Sequence, residues 1–106
     1  MATAISGKIT VTTTGQAVAG PASGAGTFLL IASPSNTGTS CFVGNSGSDD
    51  VGSTTGFTLT KGVNSLVITV GEDGLAALYF DADTSGDKIS YIKIGGQQMG
   101  VNPPAV

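Results

Sequence analysis

Histidine, arginine and tryptophan are missing from these 106 residues, and cysteine occurs once. Without histidine no Ser/His/Asp or Cys/His arrangement can be assembled, and a zinc site of imidazole and thiolate ligands would have at most one donor. Lys8, Lys61, Lys88 and Lys93 are the whole cationic complement, against seven acids, for a net charge of −3. They sit in separate segments, so no basic stripe can form, and nucleic acid is excluded as a partner because its affinity rests on clustered Lys and Arg. A lone cysteine closes no internal disulfide. Cys41 stands beside Phe42 and Val43 and reads as a small buried apolar side chain, with no neighbouring base to make it a reactive thiolate.

Long apolar runs are also absent. No segment reaches the roughly 20 residues needed to cross a bilayer, and Met1–Ser6 lacks the basic start and apolar stretch of a signal peptide. The expectation is a protein made without a secretion tag and with no membrane contact. No window shows a 3.6-residue apolar period and glycine interrupts every long segment, so no helix is predicted.

What is present is glycine, 17 residues of it, with fourteen threonines and eleven serines, and a 40% hydrophobic fraction gathered into short runs. The glycines therefore read as turns between strands. A chain of this length forms one domain, able to bury roughly 60–70% of its extended surface.

The strand expectations are Gly7–Thr14, Thr27–Ser33, Thr39–Gly44, Phe57–Thr60, Ser65–Val70, Leu75–Ala82 and Lys88–Ile94, with a short one around Val51. In Gly7–Thr14, Ile9 and Val11 alternate with polar residues, which predicts one wet face. The continuous Phe28-Leu29-Leu30-Ile31 predicts a strand buried on both faces. Leu66, Ile68 and Val70 share a face, as do Leu78, Phe80 and Ala82. Tyr79 is then expected on the opposite side, its hydroxyl toward water or a partner, and Tyr91, with Ile89 and Lys93, has the same character.

Gln16–Gly26 and Asn45–Thr55 read as loops, the latter carrying Asp49 and Asp50. The fold class is all-β: an antiparallel β-sandwich of about seven or eight short strands over residues 1–94, with jelly-roll winding as one way of covering its edges. Residues 1–6 read as a flexible N-terminal arm and residues 95–106, which lack periodicity and include Pro103-Pro104, as an extended C-terminal arm.

All seven acids, Asp49, Asp50, Glu72, Asp73, Asp81, Asp83 and Asp87, fall in or beside predicted turns, where local hydrogen bonding explains them. No carboxylate pair stands out for acid–base work, and the expectation is no enzyme, no cofactor and no small-molecule substrate. Asp81-Ala82-Asp83-Thr84-Ser85-Gly86-Asp87 spaces oxygen ligands as calcium loops do, which makes Asp81, Asp83 and Asp87 a weak calcium candidate. Ile92 stands where such a loop needs a bidentate glutamate. A hairpin turn with its acids facing water explains the same letters.

Asn36-Thr37-Gly38, then Phe42-Val43-Gly44, then Gly56-Phe57-Thr58-Leu59 with Gly62, then Leu78-Tyr79-Phe80 and Ser85-Gly86-Asp87-Lys88-Ile89-Ser90-Tyr91 carry a further signal. In this order they resemble a succession found in small β-sandwich structural proteins of tailed-phage virions, over somewhat more than half the chain. The resemblance implies a capsid decoration or cement protein on the outside of the head, bridging capsomers. Its implied partners are the major capsid protein and further copies of itself, with a trimer at a threefold position as the implied oligomer.

Interface candidates are Tyr79, Tyr91, Met99, Val101, Pro103 and Pro104, with the terminal segments lying along a neighbour. A tail, neck or fibre-base component is the alternative within virions. A carbohydrate-binding module is the alternative from another class, and it would have to stack sugars on Tyr79 and Tyr91 alone.

Overall fold

A computed structural model of the chain describes residues 6–45 and 56–95. Eight strands run in the order β1 (Ser6–Thr10), β2 (Val18–Ala19), β3 (Gly26–Ala32), β4 (Ser40–Gly44), β5 (Phe57–Thr60), β6 (Leu66–Val70), β7 (Tyr79–Ala82) and β8 (Lys88–Gly95), with one 3-10 turn at Gly74–Ala77 between β6 and β7. They form two four-stranded sheets, β1-β8-β3-β6 and β2-β7-β4-β5, and every pairing is antiparallel.

The pairings β1·β8, β2·β7, β3·β6 and β4·β5 are those of one long hairpin folded over on itself, each early strand meeting its mirror-image late strand. That winding is a jelly roll. The all-β sandwich expected from the two-residue periodicity is therefore the fold.

The core lies between the sheets. The first contributes Ile9, Val11, Phe28, Leu30, Ala32, Ile89 and Tyr91, and the second Cys41, Val43, Leu59, Phe80 and Ala82; half-buried Leu66, Ile68 and Val70 on β6 complete it. These last three share the face the alternation indicated. Phe28 is the centre of the first layer, fully buried, with Tyr91 edge-on at 6.2 Å between ring centroids and the Lys93 ammonium 5.7 Å from its ring centre. Burying such a side chain contributes about 1.5–3 kcal/mol.

Several expectations are corrected by packing that is not local in sequence. Leu75–Ala82 is not one strand. Gly74 takes φ +66° and sits against Ser23 and Gly24, leaving no room for a Cβ, and the Leu75 N–H donates to Ser23 Oγ at 2.8 Å. The chain then coils for a turn, with the Leu78 N–H reaching the Leu75 carbonyl, and Leu75 and Leu78 both point inward before β7 begins. Residues three apart stack on one side of this single 3-10 turn, and among the described residues no α-helix interrupts the strands.

β1 stops at Thr10, although Val11 stays buried and its N–H donates to the Asp87 carbonyl, and the loop expected over Gln16–Gly26 holds the two-residue β2. β3 is buried on one face only: Gly26, Phe28, Leu30 and Ala32 point into the core, while Thr27, Leu29 and Ile31 remain half-exposed. It lies between β8 and β6 within its sheet, but among the described residues only one side of that sheet has another layer against it.

Ser6, assigned to an N-terminal arm, opens β1, and Gly95, assigned to the C-terminal arm, closes β8. The rest of both arms, the strand around Val51, and Asp49 and Asp50 lie outside the described residues. Among the described residues no helix is long and apolar enough to cross a membrane.

Candidate interaction face

The outward side of the first sheet is built by alternation on strands that are apolar on both faces. On β8, Ile89 and Tyr91 point inward, so Ile92 and Ile94 point out and are each 47% exposed. On β3 the outward residues include Leu29 and Ile31, and on β6 they include Val67, which is 56% exposed. The registers line these up across the sheet: Ile92 lies opposite Ser6 on one side and Leu29 on the other, and Leu29 lies opposite Val67.

A shallow depression of about 350 Å³ opens beside this row, its lining including Lys8, Leu29, Ile31, Ile92 and, with Gly7 across from it, Tyr91. Lys8 is the charged residue at its rim. A contiguous aliphatic face of this kind on a small domain is the mark of an interaction surface. The second sheet differs: its outward positions hold Ser40, Thr58 and Thr60 together with Tyr79 and with Phe42 and Asp81, the last two buried.

The acidic turn does something else. Asp87 is buried, and its two carboxylate oxygens accept the N–H groups of Thr37 at 3.0 Å and Gly38 at 2.8 Å. Asp83 Oδ2 accepts from the Thr39 and Ser40 amides and the Thr39 hydroxyl, at 3.2–3.4 Å. Asp81, also buried, accepts from the N–H groups of Gly15 and Ala82 at 3.1 and 2.8 Å. Asn36 completes the clasp: its Nδ2 donates to the Lys88 carbonyl and its Oδ1 accepts from the Lys88 N–H, both at 2.8 Å.

Asn36-Thr37-Gly38 and Asp87-Lys88, about 50 residues apart in sequence, are thus one interlocked structure joining the β3–β4 turn to the start of β8. Asp81 and Asp87 do not face water; Asp83 and Asp87 are both taken up by the backbone of Thr37–Ser40, and Asp81 by Gly15 and Ala82. A calcium loop needs its oxygens to converge on one point. Among the described residues no group of three or more His, Cys, Asp or Glu could hold a metal ion, so the candidate role passes from ligation to fastening.

Gly38 is part of the clasp for steric reasons, since a Cβ there would strike Asp83 Oδ1 and Thr84 Oγ1. Gly38→Ala is expected to cost about 1–3 kcal/mol by overpacking, read as a lowered thermal midpoint. An unchanged midpoint would mean that Asp83 can move aside freely.

Cys41 is fully buried, as the sequence suggested, with Asn36 Nδ2 3.5 Å from its sulfur. Burial, and then the charges of Asp87 and Asp83, push its thiol from 9.0 up to about 11. The neutral form is therefore favoured more in the folded state than in the unfolded one. The resulting stability is complete below pH 9 and is lost between about pH 9 and 11, on the order of 2 kcal/mol in all. Cys41→Ala is expected to remove that part of the alkaline decline, measured by denaturant unfolding across the window; parallel curves for the two proteins would refute it.

The interface residues named from sequence are not brought together. Tyr91 is only 8% exposed; burial raises its pKa, and its ring lies over Gly7, opposite it on β1, where an added Cβ would come within 2.9 Å of the hydroxyl oxygen. An aromatic covering a cross-strand glycine is a core device, so Tyr91 is removed from the interface candidates. Tyr79 is half-buried and faces outward on the second sheet. Met99, Val101, Pro103 and Pro104 lie outside the described residues. Missed were Leu29, Ile31, Val67, Ile92 and Ile94, whose signal was the presence of apolar residues on both faces of three strands.

Comparison with known proteins finds no matching family model, no matching curated protein and no matching solved structure.

Proposed function

We propose that this chain is a structural protein of a tailed-phage virion that decorates the outside of the head. The outer face of its β1-β8-β3-β6 sheet docks on the major capsid protein, and neighbouring capsomers are bridged. The observation that carries the reading is the aliphatic row Ile92, Leu29 and Val67 with Ile31 and Ile94 beside it, in which Val67, Ile92 and Ile94 are large apolar side chains left exposed on one sheet.

One such face per copy supplies a modest interface, and repetition over a lattice turns modest contacts into avidity. The jelly roll recurs in viral capsid proteins and in lectins, so as analogy the fold is compatible with a virion role and fixes none. What favours the virion reading over the lectin one is the kind of surface offered. Sugar rings stack on exposed aromatics, whereas this face is aliphatic.

The test is co-sedimentation of the purified protein with empty heads of its own phage, alongside a glycan array. Saturable pelleting with heads and a blank array are expected. Pelleting with tails alone would move the protein to an appendage, and glycan binding without head binding would replace the reading.

A further inference from the structure

The four sheet edges are unequally protected, and we infer that the unprotected one, β6, pairs antiparallel with β6 of a second copy across a twofold axis. On β5 the edge is closed from within: the Asn64 side chain donates to the Thr58 carbonyl at 3.0 Å and accepts the Thr60 N–H at 2.7 Å. The Thr60 carbonyl accepts the N–H groups of Val63 and Asn64. β2 is two residues long, with Pro21 just after it, and β1 carries Lys8.

β6, Leu66-Val67-Ile68-Thr69-Val70, has no charge, no proline and no glycine, and among the described residues no hydrogen bond outside its ladder with β3 reaches its backbone. Natural sheets blunt exposed edges with lysine, proline or a covering loop. Among the described residues this edge has none of the three.

Charge selects a second copy as the occupant and antiparallel as the direction. The turn leading into β6 carries Lys61, whose ammonium donates to the neutral Asn36 carbonyl at 2.6 Å and keeps its charge, and the turn leaving it carries Glu72 and Asp73. Pairing centred on Ile68 places Val67 opposite Thr69 of the second copy and Leu66 opposite its Val70, so apolar and β-branched side chains meet on both faces. It also brings Glu72 and Asp73 of each copy beside the Asn64 and Val63 turn of the other, the turn to which Lys61 belongs. A depression of about 560 Å³ opens there, lined by Ile31, Pro34, Lys61, Val63 and Ser65. Parallel pairing would set acid on acid and lysine on lysine.

Because one patch meets its own copy, the contact closes at two and leaves β1 free. It joins two first sheets into one eight-stranded sheet, and it is independent of the capsid reading because it is measured on the isolated protein.

The experiment is light scattering after size exclusion on the full chain. Wild type is expected at twice the 10.3 kDa of one chain. The double variant Val67→Lys with Thr69→Lys puts like charges directly opposite across the axis, on outward positions, and is expected at the mass of one chain. Val67→Glu with Thr69→Glu is likewise expected alone as a monomer, and an equimolar mixture of the two is expected to form a heterodimer.

A wild type that is monomeric at the highest concentration attainable, or trimeric, would overturn the proposal. So would a lysine variant that remains dimeric. If the lysine pair prevents folding, hydrogen exchange of wild type decides instead. Protection of Leu66–Val70 that falls on dilution while the β8 amides keep theirs supports the pairing, and protection independent of concentration refutes it.

Discussion

Asp87→Ala is expected to lower the unfolding free energy by about 3 kcal/mol or more, because two hydrogen bonds to a buried carboxylate disappear together. The Thr37 and Gly38 amides would lose their acceptor, and the β3–β4 turn would be held to the start of β8 only by Asn36 and by the Ser33 N–H on the Lys88 carbonyl, with Asp83 still bound to Thr39 and Ser40. In a domain of this size the loss corresponds to a fall of roughly 10–20 °C in the thermal midpoint.

Asp87→Asn keeps one acceptor oxygen and turns the other position into a donor facing an N–H, so an intermediate loss is expected. Thr12→Ala, at an exposed position outside the strands, serves as the reference and should change stability by no more than about 0.5 kcal/mol. If Asp87→Ala behaved like Thr12→Ala, the acidic turn would not be a clasp.

Ile92→Lys and Ile92→Glu are both expected to abolish measurable head binding while leaving the fold intact. Ile92 sits mid-row on the outer face, opposite Ser6 and Leu29, and is half-exposed, so a charged side chain there can reach water in the free protein. In a docked complex the same charge would be desolvated without a partner. Losing a central apolar anchor costs about 2–4 kcal/mol, roughly 30- to 1000-fold in affinity. The use of both signs matters: loss with both identifies apolar burial, whereas loss with one and gain with the other would identify charge matching. Ala19→Lys, on the outer side of the second sheet opposite Tyr79, should bind as wild type does.

Much of the architecture was legible because period-two alternation is a local property. Leu66, Ile68 and Val70, Phe80 and Ala82, and Ile9 with Val11 all face the core as their spacing indicated. Alternation says that two faces differ; it does not say which is inside when both are apolar. On β8 the inward choice of Ile89 and Tyr91 over Ile92 and Ile94 is made by Phe28 and Gly7, residues far away in sequence.

The 3-10 turn was hidden for a similar reason, since Leu75 is held by Ser23, a partner 52 residues distant. The winding of the roll was illegible because each early strand pairs with a late one. The clasp was present as letters, Asn36, Gly38 and Asp87, but its meaning required knowing that the two turns touch. The aliphatic face emerged only when β3 and β8 were placed side by side.

A reconstruction of the phage head with this protein bound tests the central claim most directly, because it shows which sheet meets the shell. The β1-β8-β3-β6 sheet is expected to lie against the capsid, with Leu29 and Ile92 within contact distance of the major capsid protein and the β2-β7-β4-β5 sheet turned to solvent. Density with Ile92 and Leu29 facing water, or no density on the head at all, would contradict it.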